Sequence, residues 1–142
     1  MSEPRRPESV LVVIHTPGLE CLLLERVAPA GFWQSVTGTL KWRETAIDCA
    51  KREVLEETGI QSDGLIDAGV EQRFPILPEW RDRYAPDVTE NVERLWYLPV
   101  TEILPVTINP EEHLQYRWAS LEESIETVTS WTNRAALERL RR

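Results

Sequence analysis

The sequence predicts an α/β domain whose strands and helices follow one another without regular alternation. An uninterrupted apolar run at residues 9–15 is typical of a strand buried on both faces. Residues 46–58 carry apolar side chains at helical spacing between a capping threonine, Thr45, and a terminating glycine, Gly59. Residues 113–118 alternate between apolar and polar, as in a half-buried strand. With 142 residues, 42% of them apolar, we expect a single domain, 1–142, with a substantial core.

A β-hairpin and a third short strand are predicted before the helix. Residues 16–18, Thr-Pro-Gly, favour a turn because proline fixes φ and glycine accepts positive φ. This turn joins the first strand to a second strand at residues 21–26. Residues 32–37 then form a third short strand that leads towards the helix.

The helix at residues 46–58 has recognisable signals at both ends. Thr45 and Asp48 match a capping box, in which a threonine side chain accepts a hydrogen bond from the backbone three residues later. The apolar stripe of this helix is expected to contain Ile47, Ala50 and Val54.

Further strands and helices are predicted in the second half of the chain. The alternation at residues 113–118 places Leu114 and Tyr116 towards the core and His113 away from it. In chain order, we expect one or two strands at residues 65–75, a loop at residues 78–88, strands at residues 91–100 and 113–118, a helix at residues 120–128 capped by Ser120, and a last helix from residue 130 onwards.

Composition and charge exclude several classes of protein. The formal net charge of −8 argues against nonspecific binding to nucleic acid, which requires a basic surface. The polar N-terminus does not resemble a signal peptide, and the apolar run at residues 10–14 is too short to cross a membrane. Two cysteines, Cys21 and Cys49, do not form a disulfide framework and are expected to be small buried thiols. We therefore expect a cytoplasmic protein.

Three acidic side chains, those of Glu53, Glu56 and Glu57, are crowded on one arc of the predicted helix. Like charges three and four residues apart repel each other, so a counterion is needed. Carboxylate oxygens suit hard divalent cations such as Mg²⁺ or Mn²⁺. The alternative interpretation is a solvated acidic face with no bound ion.

The acids belong to a longer pattern with fixed spacing. It consists of glycine, five residues, glutamate, seven residues, Arg-Glu-apolar, one residue, Glu-Glu, one residue and Gly-apolar. This pattern resembles the Nudix box of Nudix hydrolases, which cleave a nucleoside diphosphate linked to another moiety. The resemblance implies the Nudix fold, an α/β/α sandwich with a mixed β-sheet between α-helices. Its positions are filled by Gly38, Glu44, Arg52, Glu53, Val54, Glu56, Glu57, Gly59 and Ile60.

The resemblance also implies roles for residues of the box. Glu53 and Glu57 match the carboxylates most expected to bind Mg²⁺ or Mn²⁺, which in this family holds a diphosphate. Glu56 is the next candidate metal ligand, and the carbonyl of Gly38 is a further one. Arg52 matches a residue that orients the acids.

Other segments extend the resemblance to the bacterial dihydroneopterin triphosphate pyrophosphatases, a Nudix family of folate synthesis. These segments are residues 32–38, 83–89, 112–118 and 130–134. The implied reaction converts 7,8-dihydroneopterin triphosphate to the monophosphate and pyrophosphate by attack of water on phosphorus. A glutamate outside the box is the general base in this family, and Glu112 matches it. The implied partner is a small-molecule triphosphate, with no nucleic acid or membrane, and the chain is expected to be a monomer or homodimer.

Six residues are candidates for substrate binding, and most have an alternative structural interpretation. An arginine after a strand can reach a phosphate or lie on the surface, and an aromatic ring can stack on a pterin or fill the core. A tyrosine on a long loop can close over a substrate. The side chains near the C-terminus line the pocket or dock the last helix. The six are Arg26, Trp33, Gln34, Tyr84, Trp131 and Asn133.

Two positions depart from the usual Nudix box. The family commonly carries glutamate at the position of Lys41 and glycine at that of Arg43. These changes put the number of bound metals and the substrate in question. An alternative is therefore a Nudix hydrolase of nucleoside triphosphates or dinucleoside polyphosphates, and a further alternative is a Nudix-fold binding module without catalysis.

Overall fold

A computed structural model describes residues 3–141 of the chain, which form a mixed β-sheet with helices on both faces. The helices are α1 (Ala46–Thr58), α2 (Leu121–Thr127) and α3 (Trp131–Glu138), with a short 3-10 helix at Pro78–Arg83. The strands are β1 (Glu8–His15), β2 (Glu20–Arg26), β3 (Trp33–Gln34), β4 (Val36–Thr39), β5 (Ile66–Pro75), β6 (Glu90–Pro99) and β7 (His113–Ser120).

The sheet divides beside its central strand, β1. Strand β1 runs parallel to β6 along its whole length, and β6 pairs with β5. On its other side, β1 pairs with β4 through residues 9–12 but with β2 only at His15 and Cys21. Strand β2 then pairs with β3 and β7. Because β2 and β4 separate as they leave β1, the sheet opens between them.

The two faces of β1 contribute to two different parts of the core. Val10, Val12 and Ile14 pack with α1, whereas Leu11 and Val13 pack with α2 and α3. This arrangement explains the uninterrupted apolar run, since both faces of β1 are covered. The prediction of a mixed sheet between helices is confirmed.

Helix α1 has the predicted bounds and caps. The Thr45 side chain accepts a hydrogen bond from the backbone of Asp48 at 3.3 Å, and Gly59 ends the helix in the left-handed conformation with φ of 75°. One member of the predicted apolar stripe is wrong, because Ile47 is 41% exposed. Cys49 takes its place among the buried residues of this face.

Strand β7 contradicts the predicted alternation. His113 is buried, whereas Leu114 is 58% exposed and Tyr116 is also exposed. The register between β2 and β7 shifts at Glu25 and Arg26, so that Arg26 pairs with His113 and Glu25 pairs with Gln115. This irregularity leaves Leu114 and Tyr116 outside, whereas Trp118, further along β7, packs against the core as the alternation of residues 113–118 predicts.

Two further segments differ from the predictions. Residues 32–37 do not form one strand, because the chain divides into β3 and β4 at Ser35, whose backbone N–H donates to Asn133. The predicted loop at residues 78–88 begins with the 3-10 helix.

In residues 3–141, no helix is long and apolar enough to cross a membrane.

Candidate functional site

The acids of α1 point towards the place where the sheet opens. Glu53 lies against Gly38 in β4, and its carboxyl group occupies space that a side chain at position 38 would need. Glu57 lies one turn further along, and Glu56 is mainly exposed to solvent. The helix therefore brings one carboxylate against the sheet, buries a second and leaves a third at the surface.

Arg52 connects the acids of α1 to the preceding loop. Its Nε and Nη2 donate to the two carboxylate oxygens of Glu44, each at 2.8 Å, while Nη1 donates to Glu53 at 2.6 Å and to Glu56 at 3.3 Å. Nη2 also reaches the carbonyl of Thr39 in β4 at 3.2 Å. The hydrogen bonds from Arg52 lower the pKa of Glu44 to about 2. Arg52 thus contacts three acids of the box, Glu44, Glu53 and Glu56.

Neither oxygen of the buried Glu57 carboxylate accepts a hydrogen bond of good geometry, although the backbone N–H of Thr37 is close enough to lower its pKa slightly. The residue is only 2% exposed. Burial raises its pKa well above the ordinary range, and the nearby acids Glu53 and Glu112 raise it further. Its nearest basic group is His113, whose Nε2 lies 3.7 Å from Glu57 Oε1. Burial and the charge of Arg26 lower the pKa of His113, which disfavours the imidazolium form that would neutralise Glu57.

Glu112 approaches these acids from the other side of the opening. It directly precedes β7, and its backbone is fixed by hydrogen bonds from Val27 N to Glu112 O at 2.9 Å and from Glu112 N to Asn109 O at 3.0 Å. Burial raises the pKa of Glu112, and the charges of Glu53 and Glu56 add to this effect. The general-base candidate and the box acids therefore belong to one cluster.

The chemistry of this cluster fits a divalent cation. Four carboxylates share the opening, and two buried oxygens of Glu57 lack a donor. Their mutual repulsion is relieved by a hard cation with oxygen ligands. Within the described residues, however, no three His, Cys, Asp or Glu side chains are arranged around a single point suitable for a metal ion. The Glu53 carboxylate pairs with Arg52 and also lies close enough to Glu57 to raise its pKa, so these two acids already approach each other.

The predicted substrate-binding residues on the β2–β3 side have different surroundings. Arg26 is half-buried with its guanidinium group 5.1 Å from the centre of the Phe32 ring. Trp33 is partly buried against the core, and Arg117 lies 5.7 Å from its ring centre. Gln34 is buried and pairs with Leu24 of β2. Arg26 is the member of this group closest to the acids, since its charge acts on both Glu112 and His113.

The remaining candidates lie on the α3 side or in the long loop. Asn133 is buried, and its side chain accepts from Ser35 N at 2.7 Å and donates to Ser35 Oγ at 3.0 Å. It therefore fixes the chain just before β4. Trp131 is 57% exposed at the start of α3, and Tyr84 follows the 3-10 helix.

The two unusual positions of the box lie in the loop before α1. Arg43 adopts a left-handed backbone conformation with φ of 71°, which is the conformation that glycine accepts without steric cost. The backbone N–H of Lys41 donates to Glu44 at 2.9 Å, while its carbonyl accepts from Arg6 at 3.0 Å. Lys41 is thus fixed through its backbone.

Sequence reasoning missed one buried acid, Glu93 in β6. It is 7% exposed, and its Oε1 has no hydrogen-bond partner. Burial raises its pKa to about 7, although a hydrogen bond from Thr132 acts in the opposite direction. The alternation along β6 could have predicted its burial, because Asn91 and Glu93 lie on the same face of the strand as Leu95.

Comparison with known proteins supplies independent information on the family. Residues 5–140 match the model of the NUDIX domain. The chain is 38% identical over 139 residues to dihydroneopterin triphosphate diphosphatase of Escherichia coli K12, covering 94% of this chain and 91% of that protein. It is 36% identical over 146 residues to the protein of the same name from Haemophilus influenzae, covering 98% and 90%. The structure of the E. coli dihydroneopterin triphosphate pyrophosphohydrolase matches with a TM-score of 0.86 and 37% identity over 97% of each chain.

Proposed function

We propose, from the premise that this chain belongs to the NUDIX domain family and is a Nudix hydrolase, that its substrate is 7,8-dihydroneopterin triphosphate. The products are the monophosphate and pyrophosphate, and the reaction is a step of folate synthesis. The identity of 36–38% to relatives of that name, over nearly the whole chain, supports this substrate. The observation that carries the chemistry is the buried, unpartnered carboxylate of Glu57 beside Glu53 and Glu112.

The proposed cofactor is Mg²⁺, which Mn²⁺ could replace. Glu53 and Glu57 are its principal ligands, with Glu56, Glu112 and the carbonyl of Gly38 as further oxygen donors. The two unpartnered oxygens of Glu57 support this assignment, because a buried carboxylate without donors is destabilising on its own. The bound cation supplies charge stabilisation for the phosphate oxygens during water attack.

The protein groups around the cation then have separate tasks. Glu112 is the proposed general base that accepts the proton of the attacking water, and its raised pKa moves its basicity towards neutral pH. Arg52 positions Glu44, Glu53 and Glu56 through its five hydrogen bonds to them and to Thr39. Arg26, whose positive charge reaches the cluster, is the proposed phosphate contact.

The pterin end of the substrate is assigned to the side chains around β3, the long loop and α3. Trp33 and Gln34 lie before β4, Tyr84 in the loop, and Trp131 and Asn133 at the start of α3. Exposed Trp131 offers a surface for stacking, whereas buried Asn133 acts by holding Ser35. The partner is a small molecule, and we place the reaction in the cytoplasm.

The test is release of pyrophosphate with Mg²⁺, comparing 7,8-dihydroneopterin triphosphate with the four common deoxynucleoside triphosphates at equal concentration. We expect the highest kcat/KM for the pterin. Higher turnover of nucleotides would retain the Nudix chemistry and overturn the substrate. Release from none of the five substrates would instead favour a binding module without catalysis.

A further inference from the structure

A row of polar side chains crosses the sheet on the face opposite α1. Thr39 of β4 pairs with Ser9 of β1, Ser9 pairs with Glu93 of β6, and Glu93 pairs with Gln72 of β5. Directly opposed residues of neighbouring strands present their side chains on the same face. The row therefore contains four polar side chains on four adjacent strands, next to a row formed by Leu11 and Leu95 in the core.

The burial of the neighbouring residues identifies this face. Val10 and Trp96, which alternate with the row, pack in the cluster that contains α1. Gly38, the partner of Val10 in β4, faces Glu53 in the same direction. The row and the acids thus lie on opposite faces of β4.

The two central members of the row, Ser9 and Glu93, are buried, and the hydrogen-bonding capacity of the row is incompletely used. Ser9 Oγ accepts from Asn91 at 2.8 Å, and Gln72 Nε2 donates to the carbonyl of Thr132 at 3.3 Å. Glu93, in the middle of the row, has no partner for Oε1 and only 7% exposure. An unpartnered acceptor at this depth is destabilising unless another group supplies donors. The row therefore resembles a binding surface in which the Glu93 carboxylate is available to accept hydrogen bonds from a ligand.

Both ends of the row are bordered by segments expected to contact substrate. At one end, Arg5 donates two hydrogen bonds to Thr39 Oγ1, and the backbone N–H of Arg5 donates to the carbonyl of Arg83 in the long loop. Thr39 also lines a surface cleft of about 430 Å³. At the other end, Gln72 contacts Thr132 in the first turn of α3, between Trp131 and Asn133.

We propose that the Glu93 carboxylate accepts the two adjacent N–H donors of the 2-amino-4-oxopyrimidine edge of the pterin ring. This inference rests on the proposed function and identifies the group that recognises its substrate. A carboxylate presents two acceptor oxygens side by side, and the ring edge presents the ring N–H and the exocyclic amino group side by side. The pKa of Glu93, raised by burial and only partly lowered by the hydrogen bond from Thr132, agrees with an acceptor that has capacity for further donors.

The position of Glu93 allows the same substrate to reach the acids. Two inter-strand spacings separate β6 from β4, so Glu93 lies about 10 Å across the sheet from Thr39. Gly38, which contacts Glu53, is the neighbour of Thr39. In the described sheet β4 pairs only with β1, so a triphosphate chain extended from a ring at Glu93 would pass the free edge of β4 to reach the acids on its other face.

The experiment compares wild-type protein with Glu93→Gln and with a matched control, Glu90→Gln. Glu90 is exposed on the same strand and faces the other side. The substrates are 7,8-dihydroneopterin triphosphate, dGTP, dITP and dTTP. The base of dGTP has the same two-donor edge as the pterin, dITP lacks the amino group, and dTTP has no comparable edge. A glutamine presents one acceptor and one donor, so it cannot accept both N–H groups.

We expect Glu93→Gln to lower kcat/KM about 100-fold for the pterin and for dGTP, and to abolish the preference for dGTP over dITP. The rate with dTTP should change by less than about twofold, and Glu90→Gln should leave all four substrates within that range. Calorimetric titration with the pterin triphosphate in the absence of metal should show the same loss of affinity, independently of turnover.

The possible failures separate the two proposals. Equal losses with all four substrates, or unchanged kcat/KM and affinity for the pterin, would overturn the assignment of Glu93. A wild-type preference for dGTP over the pterin would overturn the proposed substrate. In that case, loss of the preference for dGTP over dITP in Glu93→Gln would still support Glu93 as the acceptor of the two N–H groups. Absence of pterin binding by the wild-type protein would overturn both.

Discussion

Gly38 lies so close to Glu53 that a β-carbon at position 38 would overlap the Glu53 carboxyl group. We therefore predict that Gly38→Ala displaces this carboxylate and lowers kcat about 100-fold, since a displacement of about 1 Å can have that effect. The free energy of unfolding should fall by about 1–3 kcal/mol because of overpacking. Steady-state kinetics and urea denaturation measure the two effects.

Gly18 provides the matched control for this prediction. A β-carbon at Gly18 would lie 3.9 Å from Thr16 Oγ1, which is ordinary van der Waals contact. Gly18→Ala should therefore retain wild-type kinetics. Full activity of Gly38→Ala would show that the site does not depend on the close approach of Glu53 to β4.

Substitution of Glu57 should change activity and metal-free stability in different directions. Burial and the neighbouring acids raise the pKa of Glu57, so the neutral amide of Glu57→Gln replaces a group that is costly to ionise. We expect the variant to be at least as stable as the wild type without metal, while kcat falls by several orders of magnitude. At about 100 times its Kd, Mg²⁺ should stabilise the wild type by about 2.7 kcal/mol and the variant by much less.

Thermal unfolding with and without Mg²⁺, together with pyrophosphate release, measures this contrast. Equal metal-induced increases in Tm for the two proteins would remove Glu57 from the proposed ligands. Retained pyrophosphate release by Glu57→Gln would also remove Glu57 from the proposed ligands.

Glu112→Gln tests the proposed general base. We expect a decrease in kcat of about 10²–10⁴-fold with unchanged thermal stability, because the residue is exposed and held mainly through its backbone. The neighbouring variant Glu111→Gln is the control, since it changes an exposed acid of the same loop. Similar rates for the two variants and the wild type would return Glu112 to the role of a solvated loop acid.

The parts of the fold that the sequence predicted are those determined by local interactions. Helix α1 has its cap at Thr45 and its end at Gly59 within the same segment, and the uninterrupted apolar run of β1 indicates burial on both faces without identifying the elements that cover it. The acids on one arc of α1 follow from helical geometry alone. These features needed no knowledge of tertiary contacts.

The features that were missed depend on partners far away in the chain. The burial of His113 follows from the register shift between β7 and β2, which no property of residues 113–118 reveals. Asn133 contacts Ser35 across 98 positions, and Glu93 is buried because α3 covers its side of the sheet at Thr132. A polar residue in a strand indicates exposure until such partners are known.

The unusual arginine of the box gives a stability prediction. Arg43 has φ of 71°, a conformation that is unfavourable by about 1–2 kcal/mol for residues with a β-carbon. We expect Arg43→Gly to stabilise the protein by about 0.5–1 kcal/mol, after allowing for the greater flexibility of glycine in the unfolded chain. Arg43→Ala is the control, because it removes the side chain but keeps the β-carbon. Equal effects of the two variants in urea denaturation would assign the change to the side chain.

Glu93 should make the stability of this protein depend on pH. Burial raises its pKa from about 4.5 to about 7, so the folded state binds a proton more tightly than the unfolded state between these values. The associated stabilisation is complete below about pH 4.5 and is lost as the pH rises through about 7. A shift of this size corresponds to about 3 kcal/mol.

The difference in free energy of unfolding between Glu93→Gln and the wild type isolates this contribution from those of other groups. It should increase in favour of the variant by about 3 kcal/mol between pH 4 and pH 8, because the amide does not ionise. The same difference for Glu90→Gln should stay nearly constant, since Glu90 is exposed. Urea denaturation of the three proteins at several pH values provides the measurement. A constant difference for Glu93→Gln would mean that Glu93 ionises as readily in the folded protein as in the unfolded chain, and that its burial is relieved by donors other than a ligand.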